Sequence, residues 1–505
     1  MREEQRAAAA TIESTLTDSS FDRQVEMVLS HLDDGLYKAA AVDGSVTFRR
    51  RSVVDAGGVG RWTYETIETT GRDPLADDGT DVLVGHSTER DSVFPERSAN
   101  SYPHARDSIA QLFDGPHAPE MIAVHTASHH FDDHLGQHGS PGVVQSRAPF
   151  IAAGAGIETR NGAGGFVDRS LRMVDVAPTI AAVLGMPQVG GVGPDGQRRG
   201  DARLARQDGD PAEVLDGEVA RHVIVFLLDG CNANLLYDVI ESGEAPNMAG
   251  LVARGVAYRH GLFASLPTAT LANHTTASTG AHPGHSGVLH NAWYDRSRDV
   301  TTDLLAMDQI HSAMVHLDPD VETLHTAIHR WRPDAFTTAT FEFADRGADF
   351  SSFAGIRVGD IPPFPDLAEV RHLSRAQAEG SKQYKFMSMV DHTSAQQTVR
   401  AWQGLDGNAL PTLSWVSLAL TDEAGHESGP HGAAARASVR DSDGRVGDVL
   451  AAVEAAGALD DTAVFVIADH GMEQNDPDNT ARWDDALAAT GVAHRQVAEG
   501  FVYLP

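Results

Sequence analysis

The chain has 505 residues and a formal net charge of −32, and it contains one cysteine, Cys231. A surface this negative repels nucleic-acid backbones and anionic membranes, so we expect neither as a partner. The single cysteine excludes an intramolecular disulfide framework and a cysteine-rich metal site. Because no long apolar run and no secretory signal pattern are visible, we expect a cytoplasmic protein.

The first part of the chain predicts a small, partly antiparallel unit. Residues 21–32 have a helical pattern of apolar positions. Residues 35–68 then predict a strand with a turn and two further strands, the last two joined around Gly57 and Gly58. We expect this unit to lie outside the core of the main sheet.

A histidine-rich segment follows the short apolar run at residues 121–127, which predicts a buried strand. For four of its five histidines, a polar loop is the simpler interpretation. His138 differs because it lies between Gly136 and Gly139, which would let the backbone turn sharply and present the ring. The five histidines are His125, His129, His130, His134 and His138.

The composition of the chain changes at residue 188, before its second half begins. Residues 147–157 predict a strand, and residues 171–187 predict a helix closed by glycine and proline. From residue 188 to residue 221, Gly, Pro, Asp and Arg dominate without periodicity. We interpret residues 188–221 as a linker or a surface excursion.

Three apolar runs in the second half of the chain end in aspartate. Runs of this kind predict buried strands of a parallel sheet, and ligands bind beyond the carboxyl ends of such strands. The three carboxylates should therefore converge, and carboxylates repel one another unless a cation lies among them. Because mixed Asp/His sets suit zinc, we expect a metal site. Its candidate ligands are Asp229, Asp422, His426, Asp469 and His470.

The stretch from Ser265 to Asp295 is rich in hydroxyl, amide, histidine and glycine residues. This composition suits a loop that opens a helix at a reaction centre, where free N–H groups can face an anion. A hydroxyl there can act as a nucleophile if a base or a metal lowers its pKa. A plain capped helix start is the alternative. The candidate hydroxyls are those of Thr268, Thr270, Thr275 and Thr276.

The remaining segments complete the predicted domain. Residues 296–410 are irregular, and we interpret them as an insertion that covers the site. A helix is predicted from about Ala433 to Ala456, and residues 499–505 predict an apolar strand.

Several motifs in both halves of the chain resemble the alkaline phosphatase superfamily, most closely its nucleotide pyrophosphatase/phosphodiesterase branch. The resemblance implies an α/β fold, an alkaline-phosphatase-like three-layer sandwich with a mostly parallel central sheet and a cap insertion. It also implies two divalent metal ions, most simply zinc. The motifs are LLDG, PTATLANH, TGAHPGHSGVLHN, DEAGHESGP, ADHGM, GQHGS and VDVAPTIAAVLG.

The resemblance also implies roles for individual residues. Thr270 would be the nucleophile that takes the phosphoryl group, and Asn291 would hydrogen-bond a non-bridging phosphate oxygen. Two metal ions would clamp the attacking and leaving oxygens of an in-line displacement. The ligands would be Asp229, Thr270, Asp469 and His470 for one zinc, and Asp422, His426 and His138 for the other.

The order of the motifs departs from that of the family. In the family the GxHG histidine and the VDVAPT helix follow the ADHG strand, whereas here they precede the nucleophile. This order predicts a circular permutation, which is tolerated when the old termini lie close together. Residues 1–187 would be the family's C-terminal portion and residues 222–505 its N-terminal portion, joined through 188–221 into one catalytic domain. His138 would then lie beside Asp422.

The function implied by the resemblance is metal-dependent hydrolysis of phosphodiester or nucleotide pyrophosphate bonds through a phospho-threonine intermediate. The partner would be a small-molecule phosphoester. No lysine lies between Thr270 and Lys382 that could bind a doubly charged phosphate or phosphonate group. This absence favours a diester or nucleotide substrate. The alternatives are a phosphonate or phosphate monoester hydrolase similar to phosphonoacetate hydrolase, and an inactive metal-binding homologue.

Overall fold

The computed structural model describes residues 3–55, 58–129, 134–159, 165–306, 309–359, 380–404, 407–480, 482–498 and 500–505. Gly57 and His130, which figure in the sequence predictions, lie outside these ranges. Two large sheets, one of eight strands and one of seven, organise the described residues. Each sheet has its own cluster of buried apolar side chains.

The helices are distributed along the whole chain. None of those described is both long and apolar enough to cross a membrane. In chain order they are α1 (Glu3–Leu16), α2 (His86–Arg90), α3 (Ala105–Leu112), α4 (Val143–Ser146), α5 (Val176–Val183), α6 (Ala233–Glu241), α7 (Pro246–Ala253), α8 (Thr270–Thr279), α9 (Pro283–Ser286), α10 (Leu324–Trp331), α11 (Ser352–Arg357), α12 (Lys382–Trp402), α13 (Leu420–Ser428), α14 (Ala433–Ala455) and α15 (Asp484–Ala489).

The strands vary from two to twelve residues in length. In chain order they are β1 (Val25–Asp33), β2 (Leu36–Ala41), β3 (Gly44–Val54), β4 (Gly60–Gly71), β5 (Met121–His125), β6 (Gly136–Gln137), β7 (Arg147–Ala148), β8 (Phe150–Gly154), β9 (Phe166–Val167), β10 (Leu171–Arg172), β11 (Gly191–Val192), β12 (Arg198–Arg199), β13 (His222–Leu228), β14 (Gly255–Tyr258), β15 (Leu262–Phe263), β16 (Ala292–Asp295), β17 (Val300–Asp303), β18 (Thr337–Thr340), β19 (Phe350–Ser351), β20 (Leu413–Leu418), β21 (Thr462–Ile467), β22 (Glu473–Gln474), β23 (Arg495–Val497) and β24 (Phe501–Tyr503).

The central sheet has the order β19-β18-β20-β13-β21-β8-β14-β9. The first five strands run parallel to their neighbours, while β8 is antiparallel to β21 and β14. The three predicted apolar runs form the adjacent strands β20, β13 and β21, whose side chains are almost all buried. The predicted α/β fold with a mostly parallel central sheet is therefore confirmed.

One detail of the apolar runs differs from the prediction. Strand β20 ends at Leu418, so Asp422 does not end a strand but lies in the first turn of α13. A carboxylate is favourable there because the helix N-terminus carries a partial positive charge. Asp422 still lies close to Gly230, the residue that follows Asp229.

The second sheet combines segments from both ends of the chain. Its order is β23-β24-β5-β1-β2-β3-β4, and β24 pairs with β5, which pairs with β1. The helix predicted over residues 21–32 is wrong, because Val25–Asp33 form β1. Residues 25–30 are all buried, and an apolar run buried on both faces suits a central strand better than a one-sided helix.

The segment at residues 188–221 makes buried contacts with the rest of the fold. Arg199 is 1% exposed and donates hydrogen bonds to the carbonyls of Gln207 and Gly209. The Oδ2 atom of Asp208 lies 2.6 Å from Nδ1 of His285. These contacts attach the segment to the residues that follow α8.

The prediction that residues 296–410 form an irregular covering insertion is wrong in part. Strand β18 lies inside the central sheet beside β20, and α12 packs against both strands. The sequence of β18 is TTAT, and these polar residues do not indicate the fully buried strand that they form. The Thr340 hydroxyl, for example, donates to the carbonyl of Trp415. The turn-rich segment at residues 361–366 lies outside the described residues.

Candidate metal centre

Two groups of acidic and histidine side chains lie beyond the carboxyl ends of the central strands. The first, which we call the deep group, consists of Asp229, Asp469 and His470. Asp229 directly follows β13, and the other two residues follow β21. The Nε2 atom of His470 lies 3.1 Å from Asp469 Oδ2 and 3.8 Å from Asp229 Oδ1. All three residues are buried.

The electrostatics of the deep group fit a bound cation. Burial raises the pKa of Asp229 to about 7, and the charges of Asp469 and Asp422 act in the same direction. Burial also raises the pKa of Asp469 to about 6. One oxygen of each of these three carboxylates has no hydrogen-bond partner among the described residues. Buried carboxylates that each keep one oxygen without a hydrogen-bond donor, next to imidazole nitrogens, form a ligand set that suits a divalent metal ion.

The second set, which we call the shallow group, consists of His138, Asp422 and His426. Asp422 and His426 lie one turn apart on α13, with 3.4 Å between Asp422 Oδ2 and His426 Nε2. The Nε2 atom of His138 lies 3.9 Å from Asp422 Oδ1 although the two residues are far apart in the sequence. The three side chains are only partly buried.

Hydrogen bonds fix both rings of the shallow group in the form that binds metal. The Nδ1 atom of His138 lies 2.7 Å from the carbonyl oxygen of Thr268, and that of His426 lies 2.8 Å from the carbonyl oxygen of Gly136. Since a carbonyl only accepts, each Nδ1 donates, and the neutral ring keeps a lone pair on Nε2. Burial, together with the nearby His470 and His426, holds the pKa of His138 well below its usual value.

Two glycines let the groups approach each other. Gly139 has a φ of +117°, a conformation that glycine tolerates best, directly after His138. Gly230 has a φ of +59°, and a Cβ atom there would lie only 2.2 Å from Asp422 Oδ1. Its N–H group donates to Asp469 Oδ1 at 3.0 Å. Gly230 therefore lies between the two groups and contacts both.

Three other histidines near the site are placed differently from His138. His431 lies 3.4 Å from Glu89 Oε1, in neither group. His129 is buried and stacks on Trp483. The ring of His134 lies 4.5 Å from that of His426, beside the shallow group.

Thr270 and Thr268 have different surroundings. Thr270 is the first residue of α8, and its Oγ1 lies 3.4 Å from His470 Nε2. The Thr268 hydroxyl instead donates to the carbonyl of Ser140 and accepts from the N–H of Gly139. The other two candidate hydroxyls donate to carbonyls of their own helix. Among the four candidates, Thr270 is the hydroxyl that contacts the deep group.

Asn291 lines a cavity next to the start of α8, together with the shallow group. The cavity has a volume of about 570 Å³, and Thr270, Asp422, His426 and His138 also line it. Asn291 Oδ1 accepts a hydrogen bond from the N–H of Leu271, in the first turn of α8. The amide Nδ2 is then the end of the side chain that can donate to a ligand. No lysine or arginine occurs among the described residues that line the cavity.

His274 is a site residue that the sequence analysis does not single out. Its Nε2 atom lies 3.8 Å from Asp229 Oδ2 and 3.9 Å from Asp469 Oδ2, and its Nδ1 lies 2.8 Å from Glu342 Oε2. Burial opposes the charged ring, but these carboxylates raise the pKa of His274 well above its usual value. Its position four residues after Thr270, on the same face of a helix, is the signal that could have found it.

The sequence of the chain matches a known family. Residues 223–504, more than half of the chain, match the model of the family described as Type I phosphodiesterase / nucleotide pyrophosphatase. The chain belongs to this family, and the resemblance to the nucleotide pyrophosphatase/phosphodiesterase branch of the alkaline phosphatase superfamily is confirmed. Its residues 1–222, which include His138, lie outside the match.

The curated relatives are larger proteins. Ectonucleotide pyrophosphatase/phosphodiesterase family member 3 of Rattus norvegicus is 23% identical over 263 residues, which is 52% of this chain and 26% of the relative. Family member 1 of Mus musculus is 22% identical over 251 residues, which is 50% of this chain and 24% of the relative. The chain thus spans about a quarter of the length of these relatives.

Solved structures show more distant similarity. Murine ectonucleotide pyrophosphatase/phosphodiesterase 5 is 18% identical, with 50% of this chain and 58% of that chain covered and a TM-score of 0.35. Phosphonoacetate hydrolase from Sinorhizobium meliloti 1021, in complex with phosphonoformate, is 16% identical, with 57% and 60% covered and a TM-score of 0.34.

Proposed function

We propose that the chain is a metal-dependent hydrolase of phosphodiester or nucleotide pyrophosphate bonds that forms a phospho-threonine on Thr270. The observation that carries this proposal is the position of the Thr270 hydroxyl at the start of α8, 3.4 Å from His470 Nε2. The hydroxyl lies beside the deep group and in the same cavity as the shallow group. Membership of the phosphodiesterase family supports the same class of reaction.

The metal ions would be two divalent ions, most simply zinc. The deep group together with Thr270 would hold one ion, and the shallow group would hold the other. Oxygen and nitrogen ligands without cysteine, together with carboxylate oxygens that lack donors, support this assignment. Bound in this way, the ions would supply positive charge to the attacking and leaving oxygens of an in-line displacement.

The side chains of this protein would perform the displacement in two steps. Thr270 Oγ1 attacks phosphorus and loses its proton to solvent, so a threonine ester forms as the bond to the leaving oxygen breaks. Water then attacks the same phosphorus, the ester bond breaks, and Thr270 regains a proton. Asn291 Nδ2 donates to a non-bridging oxygen, where charge builds up in the transition state.

The cavity supports a substrate with a single negative charge on the reacting phosphate. A phosphate monoester carries up to two charges, and enzymes commonly meet them with lysine or arginine. Neither residue lines the cavity within the described part of the chain. A phosphodiester or a nucleotide pyrophosphate, which presents one charge fewer, therefore suits this site better.

The test is hydrolysis of chromogenic phosphodiesters and phosphate monoesters by the full chain with added zinc. We expect the diester to be preferred and Thr270→Ala to abolish turnover, because the nucleophile is lost while both ligand groups remain. Thr268→Val is the matched control, since Thr268 bonds only to the loop that carries Gly139. This control should lose stability but keep measurable turnover.

Other results would favour other functions. Preference for the monoester, or for a phosphonate, would favour a phosphonate or phosphate monoester hydrolase. Zinc binding without turnover of any phosphoester would favour an inactive metal-binding homologue. Activity retained in Thr270→Ala but lost in Thr268→Val would mean that the wrong hydroxyl is assigned.

We also propose that the chain is a circularly permuted member of its family. Residues 1–187 would be the family's C-terminal portion, 188–221 the linker, and 222–505 the N-terminal portion. Three observations support this: His138 lies 3.9 Å from Asp422, Gln5 Nε2 lies 3.3 Å from the carbonyl of Leu504, and the family match begins at residue 223. A rearranged chain that starts at residue 222 and joins residue 505 to residue 3 should fold and keep both ligand groups.

A further inference from the structure

We propose that His274, Glu342 and Ser417 form a buried chain that positions Asp229, so that one oxygen of this carboxylate is presented to the metal of the deep group. His274 would contact the ligand and not the ion, so it is a positioning residue. This inference rests on the proposed metal site and goes beyond it, because none of the three residues belongs to either ligand group.

The two oxygens of Asp229 have different surroundings. Oδ1 lies 3.8 Å from His470 Nε2 and has no hydrogen-bond partner in the described part of the chain. Oδ2 lies on the side of His274, 3.8 Å from its Nε2. A ligand carboxylate commonly gives one oxygen to the metal while a neighbouring donor holds the other, which fixes its orientation. The Nε2 atom of His274 has no hydrogen-bond partner among the described residues, so it can donate to Oδ2 once the two atoms approach to about 3 Å.

The orientation of His274 is itself fixed by Glu342. Glu342 Oε2 lies 2.8 Å from His274 Nδ1 and accepts from the Ser417 hydroxyl at 2.5 Å, while Oε1 accepts from the N–H of Ala344 at 2.8 Å. Glu342 is completely buried, so water does not compete for these bonds. The ring of His274 also packs edge-on against Phe343. The imidazole therefore has little freedom to turn away from the deep group.

The chain of hydrogen bonds connects neighbouring strands. Ser417 lies on β20 opposite Leu227 of β13, two residues before Asp229. His274 is thus held by Glu342 and, through Ser417, by the strand next to that of Asp229, with its Nε2 atom 3.8 Å from Asp229 Oδ2. Such support is what a metal site needs to hold a ligand within a fraction of an ångström.

The test is the zinc affinity of the metal-stripped full chain, measured by competition with a chromophoric chelator. His274→Asn retains an amide near Nδ1 but loses the donor near Nε2, so zinc should bind one of the two sites about 10- to 100-fold more weakly. His274→Gln places an amide near Nε2 and should recover part of this loss. Glu342→Gln should weaken the same site by a smaller factor, because its amide oxygen can still accept from His274.

His282→Asn is the matched control. His282 is also buried, and it lies between the Ser265 hydroxyl and the Asp107 carboxylate, in neither ligand group. We expect it to leave both zinc affinities unchanged. If His274→Asn fails to fold, the two glutamine variants carry the test.

The outcomes separate this inference from the proposed function. Wild-type or tighter zinc binding in His274→Asn, with two equivalents bound to the wild type, would overturn the positioning role alone. Equal weakening of both sites would also overturn it, because the effect would then be general. A wild-type chain that binds no zinc would overturn the proposed metal centre and this inference together.

Discussion

The deep and shallow groups both lie against Gly230 but are built in different ways. The deep group follows two adjacent parallel strands, β13 and β21, whose register places Leu227 opposite Ile467. Each of its ligands comes one to three residues after a strand end. The shallow group combines one turn of α13 with a loop from a distant part of the chain, held by the short pairing of β6 with β22.

This difference affects how sensitive each group should be to substitution and to a change in the order of the chain. Sheet register fixes the deep group and burial surrounds it, so its charges interact in a low-dielectric setting. The shallow group is partly exposed and depends on contacts between distant segments. We therefore expect substitutions in the deep group to have the larger effects, and the shallow group to tolerate rearrangement of the chain better.

Among substitutions of the metal ligands, the largest effect is expected for Asp469→Asn in the deep group. Loss of this ligand should remove one zinc equivalent and lower kcat by roughly 10³-fold, since a bound metal supplies several kcal/mol of charge stabilisation. Elemental analysis and diesterase kinetics measure the two effects. Full zinc content together with wild-type kcat would show that Asp469 is not a ligand.

Asn291→Ala should have the next largest effect, and it belongs to neither group. We expect kcat to fall by about 10²-fold, as for the loss of one oxyanion donor, while two zinc equivalents remain bound. Asn291→Asp, which keeps the size but loses the amide donor, should fall at least as far. A raised KM with unchanged kcat would assign Asn291 to ground-state binding instead.

The sequence predicts the deep group better than the shallow group, for a physical reason. Continuous apolar runs that end in Asp229 and Asp469 identify parallel strands, and parallel strands bring their carboxyl ends to one edge. No local pattern connects His138 with Asp422. That pairing depends on tertiary contacts, and the resemblance to the family is what predicts it.

Other differences between prediction and structure arise where a buried segment contains polar residues, because its composition then does not indicate burial. The buried strand Val25–Asp33 contains Glu26 and His31, so its apolar spacing also matches a helix. The central strand β18 consists largely of threonine, whose hydroxyls find partners inside the sheet. The pairing of His274 with Glu342 has no local pattern either, because Glu342 lies on a different segment of the chain.

His138→Ala tests the shallow group and its long-range origin. The variant should bind one of its two zinc ions more weakly, and kcat should fall by about 10- to 100-fold. This loss is smaller than in Asp469→Asn because a water molecule can replace the lost ligand at the partly exposed site. His134→Ala is the matched control, since its ring also lies next to His426. Loss of zinc in His134→Ala but not in His138→Ala would reverse the assignment.

The smallest effect concerns stability and the strand pair that supports the shallow group. Glu473 lies in β22, and burial, with Glu89 and Glu26 nearby, raises its pKa from an ordinary 4.5 to about 8. The folded chain therefore keeps this proton where the unfolded chain has lost it. Stability contributed below pH 4.5 is lost as the pH rises toward 8, by at most about 1.4 kcal/mol per pH unit for one proton.

Glu473→Gln should reduce this slope in urea unfolding from pH 5 to pH 8, and the exposed Glu65→Gln should keep it. A wild-type slope in Glu473→Gln would show that Glu473 is ionised in the folded protein, and that the support of the shallow group does not depend on its proton.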